Sequence, residues 1–260
     1  MDRARPVKVV ILAGGRGTRL SEETNVIPKP MVTIGGRPII WHIMRHYASY
    51  GFNDFVVALG YKGYVMKEYF ANYRLHEGDL QVDLMTGEVE VISRHAEDWH
   101  VSLVDTGEAT MTGGRLKRLA PMLQETFMLT YGDGLSDVRV DDLLAFHRKH
   151  ETLATVTAVS PEPRFGALEI DAQMVRRFRE KPSDARQRIN GGFFVFEPEV
   201  LSLLGGDDCV LEAEPLATLA ARSQLAAFEH DGFWMPMDTL RDRDELNRLW
   251  DTGSPPWLSR

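Results

Sequence analysis

Apolar runs and amphipathic stretches alternate along the first third of the chain. A continuous apolar run from Val9 to Leu12 stops at a group of glycines, which predicts a buried strand followed by a loop. Apolar residues at helical spacing then begin at Ile39, a second apolar run covers 55–60, and a second helical face begins at Val65. This order of strand, helix, strand and helix is typical of a parallel sheet with right-handed crossovers.

The remaining pattern extends the sheet. Alternating positions on either side of Thr86-Gly87 predict a hairpin within 80–91. Because no linker, low-complexity tract or internal repeat interrupts the pattern, we expect a single domain over 1–260, built on a Rossmann-like, mixed but mainly parallel α/β sheet flanked by helices. Further strands are predicted at 101–105, 126–131, 153–159, 163–170, 175–182, 190–196 and 225–228, with helices beginning near 112, 140, 212 and 240.

Composition narrows the classes of protein that fit this pattern. The chain has 260 residues, of which 43% are hydrophobic, and its formal charge of −8 argues against a nucleic-acid or anionic-membrane surface. A single cysteine, Cys209, excludes an internal disulfide framework and fits a reducing compartment. Since the sequence has no run long enough to span a membrane and residues 1–6 lack the apolar core of a signal peptide, we expect a cytoplasmic location.

The glycine loop at 14–17 is the strongest candidate for a ligand site. Glycines without a Cβ let backbone N–H groups turn towards an anion, and Arg16, Arg19 and Lys29 add positive charge nearby. The loop is not a Walker A motif, because Thr18 and Arg19 follow its last glycine in place of Lys and Ser/Thr. Leu20 stands where the dinucleotide fingerprint requires its third glycine, so a nicotinamide-dependent dehydrogenase is excluded as well.

Polar residues at predicted strand ends supply the other candidates. Asp133 lies between two glycines after the strand at 126–131, and Asp238 follows an aromatic and sulfur-rich stretch in which an unpaired carboxylate would be costly. Arg115 follows a glycine pair at the start of a predicted helix, where a bound anion would offset its unfavourable position in the helix dipole. The segments around Glu180-Lys181 and Asn190-Gly191 could bind a polyhydroxylated, phosphorylated ligand.

Together these residues indicate phosphoryl chemistry on a nucleotide polyphosphate and a small sugar-like partner. A sugar phosphate with a second pKa near ~6 is largely dianionic at neutral pH, so its oxygen needs no general base to attack phosphorus. This agrees with the lack of a convincing Ser-His-Asp or Cys-His arrangement in the sequence. The reaction requires in-line positioning and neutralisation of negative charge.

The stretch from Leu12 to Leu20, with Lys29-Pro30, resembles the signature of the sugar-phosphate nucleotidyltransferases. Stretches at 60–64, 104–107, 111–118, 130–134, 190–194 and 236–241 make this chain similar, over nearly its whole length, to the members of that family that use CTP and glucose 1-phosphate. The resemblance implies a fold of the nucleotide-diphospho-sugar transferase type and a reaction giving CDP-glucose and pyrophosphate. It also implies a homo-oligomer and a role in making dideoxysugars of surface polysaccharide.

The resemblance assigns roles to individual residues. It implies a nucleotide-binding half at about 7–135 and a sugar-phosphate half, with the C-terminal helices, at about 136–260. Arg19 and Lys29 would be catalytic, Asp133 and Asp238 would hold Mg²⁺, and Glu180, Lys181, Asn190 and Gly191 would bind the sugar phosphate. The nucleotide would contact Leu12, Ala13, Gly14, Gly15, Arg16, Gly17, Thr18, Arg19, Lys29, Thr110, Arg115 and Gly132.

Two alternatives stay open at this point. One is the same fold and chemistry with another nucleotide or another sugar 1-phosphate. The other is a nucleotide-sugar binding module without turnover, although an intact Lys29 and intact candidate metal ligands argue against it.

Overall fold

The computed structural model describes residues 7–15, 17, 26–93, 97–161, 167–171, 173–179 and 188–258. Within these ranges the helices are α1 (Ile39–Ala48), α2 (Gly63–Ala71), α3 (Tyr73–Glu77), α4 (Thr112–Arg118), α5 (Val140–His150), α6 (Glu214–Ala221) and α7 (Leu240–Asp251). Short 3-10 turns cover Lys29–Met31, Ala120–Met122, Pro198–Leu203 and Pro256–Leu258. The strands are β1 (Lys8–Leu12), β2 (Thr33–Ile34), β3 (Arg37–Pro38), β4 (Asp54–Leu59), β5 (Leu80–Val82), β6 (Val89–Val91), β7 (His100–Asp105), β8 (Phe127–Tyr131), β9 (Gly134–Ser136), β10 (Ala154–Val159), β11 (Ala167–Asp171), β12 (Met174–Arg179), β13 (Ile189–Phe196), β14 (Leu225–His230) and β15 (Trp234–Pro236).

A seven-stranded sheet in the order β14-β10-β13-β8-β1-β4-β7 forms the centre of the described fold. Strands β8, β1, β4 and β7 are parallel to one another, as are β10 and β14. Strand β13 runs antiparallel to both of its neighbours, β10 and β8. The mixed, mainly parallel sheet predicted from the sequence is therefore confirmed.

Both faces of this sheet are covered, which explains why its strands appear in the sequence as continuous apolar runs. Side chains alternate between the two faces of a strand, so β1 supplies Val9 and Ile11 to one core and Val10 and Leu12 to the other. Helix α1 packs in the first core, and Leu116 of α4 lies in the second. The strand thereby becomes a rigid base for the loop that follows it.

Several smaller predictions are also confirmed. The hairpin at 80–91 forms as β5 and β6, and the strands on either side of 171–173 pair as β11 and β12. Helix α1 begins at Ile39, so Pro38, which ends β3 with extended backbone, lies one residue before the helix and not in its first turn. The sequence did not predict β9, a three-residue strand that pairs antiparallel with β15.

Candidate active site

The carboxyl ends of the parallel strands place the candidate residues along one edge of the sheet. Gly14 follows β1, and Gly132 and Asp133 follow the neighbouring β8. Because β13 is antiparallel, its amino end, with Asn190, lies at this same edge. Open α/β sheets bind ligands at the carboxyl ends of their strands, so the topology brings together residues that are distant in sequence.

The pairing of β9 with β15 places the two candidate metal ligands side by side. Gly134 pairs with Pro236, and the Met237 N–H donates to the Asp133 carbonyl over 2.8 Å. Asp133 and Asp238 therefore lie next to this short ladder, one just before β9 and the other two residues after β15. The ladder brings together two carboxylates that are separated by 104 residues in the sequence.

Lys29 lies between these two carboxylates. Its Nζ is 2.7 Å from Asp133 Oδ2 and 2.8 Å from Asp238 Oδ1. The lysine side chain is only 10% exposed, whereas the aspartates are 33% and 27% exposed, so the carboxylates retain access to solvent. Burial by itself would lower the pKa of Lys29, but the charges and hydrogen bonds of Asp133 and Asp238 outweigh it and raise that pKa. Lys29 is thus a fixed positive charge.

A capping box at the start of α7 fixes the backbone of Asp238. Thr239 Oγ1 accepts from the Asp242 N–H, while Asp242 Oδ2 accepts from the N–H groups of Thr239 and Asp238. Threonine followed three residues later by an acidic residue is a recognisable signal for a helix start. The sequence therefore contained a cue for the position of Asp238.

A cavity of about 550 Å³ opens beside these charges. Of the residues assigned from the sequence, those that line it within the described ranges are Leu12, Ala13, Gly14, Gly15, Gly17, Lys29, Thr110, Arg115, Gly132, Asp133, Asn190 and Asp238. Six other residues also line it, and the sequence gave them no role: Pro30, Met111, Thr112, Tyr131, Trp234 and Pro236. The Trp234 indole donates to the Gly191 carbonyl over 2.7 Å, which places Gly191 directly behind this wall.

Some predicted site residues fall outside the part of the chain that the structure describes. These are Arg16, Thr18, Arg19, Glu180 and Lys181. Their proposed contacts with nucleotide and sugar phosphate stay predictions.

The hydrogen-bond partners of Arg115 differ from the bound anion that the sequence led us to expect. Its side chain is buried, and its two Nη atoms donate to the carbonyls of Leu59, Gly14, Gly107 and Glu108 and to the Thr106 hydroxyl over 2.7–3.2 Å. Backbone carbonyls thus take the place that the sequence argument gave to a bound anion. Burial, and then the charge of Arg118, lowers the pKa of Arg115. The guanidinium ties together the loops after β1, β4 and β7.

The close packing of the Arg115 guanidinium explains why positions 14 and 60 are glycines. A Cβ on Gly14 or on Gly60 would overlap the Arg115 guanidinium. Gly14 therefore leaves room for the Arg115 side chain and also lines the cavity. By contrast, no atom of the residues that the structure describes lies within 4 Å of a Cβ built on Gly15.

Comparison with known proteins identifies the family. The model of the nucleotidyl transferase family matches residues 8–235. The chain belongs to this family. It is 54% identical over 253 residues to glucose-1-phosphate cytidylyltransferase of Salmonella typhi, covering 96% of this chain and 98% of that one. It is 43% identical to a Bacillus subtilis protein named probable glucose-1-phosphate cytidylyltransferase, covering 96% of this chain and 99% of that one.

A solved structure agrees with the fold. UDP-glucose pyrophosphorylase complexed with UDP-glucose superposes with a TM-score of 0.68 at 17% identity, covering 95% of this nucleotidyltransferase and 99% of that chain. The resemblance inferred from the sequence is thereby confirmed for both family and fold, and the protein is an enzyme of the nucleotidyltransferase class. None of the helices in the described ranges is both long and apolar enough to cross a membrane.

Proposed function

We propose that this nucleotidyltransferase joins CTP to α-D-glucose 1-phosphate, giving CDP-glucose and pyrophosphate. The observation that carries the proposal is Lys29 held between Asp133 and Asp238 at a cavity that the glycine loop and Asn190 also line. The near-full-length relative named for this activity supports the choice of substrates. The intact lysine and carboxylates favour turnover over a binding module without catalysis.

The reaction is a displacement at phosphorus. A phosphate oxygen of the sugar phosphate forms a bond to the α-phosphorus of CTP, and the bond from that phosphorus to the oxygen bridging to the β-phosphorus breaks. Pyrophosphate leaves with that oxygen. Because the attacking phosphate is already ionised, the side chains need not remove a proton, and their task is to align the two phosphates and offset their charge.

Asp133 and Asp238 fit a Mg²⁺ site. Mg²⁺ is usually bound in enzymes by one or two carboxylates together with substrate phosphates and water. Two carboxylates facing the cavity match that pattern, and within the described ranges no group of three or more His, Cys, Asp or Glu residues is placed to hold a metal. Bound Mg²⁺ would neutralise charge on the reacting phosphates.

Lys29 has a related electrostatic role in the proposal. When a polyphosphate enters, its ammonium group can exchange one carboxylate for a phosphate oxygen and stabilise the charge that develops on pyrophosphate. Arg19 is proposed to act with it. We assign the nucleotide to 7–135 and the sugar phosphate to 136–260, and assembly into a homo-oligomer also stays a proposal.

A substrate panel tests this function. Purified protein with Mg²⁺ receives CTP, UTP, dTTP or ATP, each with glucose 1-phosphate or another hexose 1-phosphate, and pyrophosphate release is followed. We expect fastest release with CTP and glucose 1-phosphate. No release with any pair would contradict the proposed catalysis, and faster release with a different pair would reassign the substrates within the class.

A further inference from the structure

Asn190 is held in one orientation by a backbone group. Its Oδ1 accepts from the Gly192 N–H over 2.8 Å, and its Nδ2 donates to Tyr131 Oη over 3.2 Å. An amide N–H can only donate, so the Gly192 contact fixes which end of the Asn190 amide carries the oxygen. The tyrosine oxygen must then serve as the acceptor for Nδ2.

The tyrosine hydroxyl has a single proton, and it donates that proton in a hydrogen bond to Glu212. Tyr131 Oη lies 2.5 Å from Glu212 Oε1. A hydroxyl can donate and a carboxylate can only accept, so the phenol is the donor in this contact. The short distance is typical of a hydroxyl donating to a carboxylate.

The second oxygen of Glu212 accepts a hydrogen bond from Thr112, a residue of a different element. Thr112 Oγ1 accepts from the Leu211 N–H over 2.9 Å, and its own proton is donated to Glu212 Oε2 over 2.6 Å. Thr112 begins α4, whose Arg115 donates to the Gly14 carbonyl of the glycine loop, whereas Asn190 belongs to β13. The Gly192 N–H therefore sets the direction of donation at the Asn190 end of the chain of contacts, and the carboxylate, which can only accept, sets it at the Thr112 end.

Only a residue that accepts at both oxygens satisfies this chain. Thr112 and Tyr131 must both donate to Glu212, and an ionised carboxylate is an acceptor at both positions. A glutamine would present an N–H₂ to one of the two hydroxyls and leave that hydroxyl proton without its acceptor. Glu212 is exposed to solvent and contacts Thr112 and Tyr131, which line the cavity, but it is not itself a lining residue.

We infer that Glu212 is a positioning residue for the sugar phosphate: through Tyr131 it fixes the orientation in which Asn190 presents its amide to the cavity. The inference rests on the proposed function, because it takes the sugar phosphate as the ligand next to Asn190. Glu212 acts at a distance from the reacting atoms and is not catalytic.

The test compares Glu212→Gln with Glu214→Gln. Glu214 carries the same group two residues further on, in the first turn of α6, and takes no part in the contacts described. Glu212→Gln is expected to raise KM for glucose 1-phosphate about threefold to tenfold, the loss of roughly one hydrogen bond, and to change kcat and KM for CTP by less than about twofold. Glu214→Gln is expected to match the wild-type protein.

Tyr131→Phe removes the hydroxyl that links Asn190 to Glu212 and so interrupts the same chain of hydrogen bonds. It should raise KM for glucose 1-phosphate by a similar factor, and Glu212→Gln added to it should raise that KM little further, since both changes interrupt one chain of contacts. The inference is overturned if either single variant keeps the wild-type KM for glucose 1-phosphate, or if the two effects multiply in the double variant. It is also overturned if Glu212→Gln lowers the unfolding temperature without changing that KM. A wild-type protein that forms no CDP-glucose would instead overturn the proposed function itself.

Discussion

Asp133→Asn is expected to lower kcat with CTP and glucose 1-phosphate on the order of 100-fold to 1,000-fold. Asparagine has nearly the shape of aspartate but lacks its charge, so the variant removes half of the carboxylate pair that we propose for Mg²⁺. Steady-state rates of pyrophosphate release across a range of Mg²⁺ concentrations measure the effect. Excess Mg²⁺ should restore only part of the activity.

The fold should survive this change. Asp133 is 33% exposed, and its backbone carbonyl, which accepts from Met237, is unaltered. Circular dichroism and the unfolding temperature should therefore stay close to those of the wild-type protein. Asp251→Asn, an identical change at an exposed residue at the end of α7, is the matched control and should keep full activity. If Asp133→Asn retained most of its activity, the metal assignment would be wrong.

Arg115→Lys is expected to lower the free energy of unfolding by about 2–4 kcal/mol and to raise KM for CTP about tenfold or more. An ammonium group has three donors and no planar fork, whereas the Arg115 Nη atoms make five hydrogen bonds to three separate loops. Because Gly107 and Glu108 would lose buried donors, the loops that line the nucleotide side of the cavity should lose their fixed spacing.

Denaturant unfolding and substrate kinetics together check this prediction. Arg118→Lys is the matched control, since Arg118 is an arginine of the same helix that forms an exposed ion pair with Asp207. Exposed ion pairs contribute little to stability, so this control should behave like the wild-type protein. Equal behaviour of the two variants would mean that Arg115 does not organise the loops.

The fold could be predicted from the sequence to a large extent because its signals are local. A strand covered on both faces, such as β1, must be apolar at every position, and a helix such as α1 shows its buried face at fixed spacing. The glycine loop and Asp133 were located because both directly follow such strands. Their position at one edge then followed from the parallel order of the strands.

The remaining features depend on contacts between distant residues that leave no periodic trace. The β9–β15 pair is only three residues long on each strand, too short for an alternating pattern to be recognised, although it brings Asp133 and Asp238 together. Arg115 donates mainly to backbone carbonyls, and because every residue has a carbonyl, the sequence does not show which ones it contacts. Glu212 was missed for a similar reason, because its role depends on two hydroxyl groups from different elements.

In the proposed reaction the sugar phosphate itself attacks the α-phosphorus of CTP, and isotope transfer is the most direct test of this step. Glucose 1-phosphate carrying ¹⁸O in its non-bridging phosphate oxygens is incubated with unlabelled CTP, Mg²⁺ and the protein, and the products are analysed by ³¹P NMR and mass spectrometry. We expect all of the label in CDP-glucose, including the oxygen that joins its two phosphorus atoms, and none in pyrophosphate. Labelled pyrophosphate, or pyrophosphate release without labelled CDP-glucose, would contradict it.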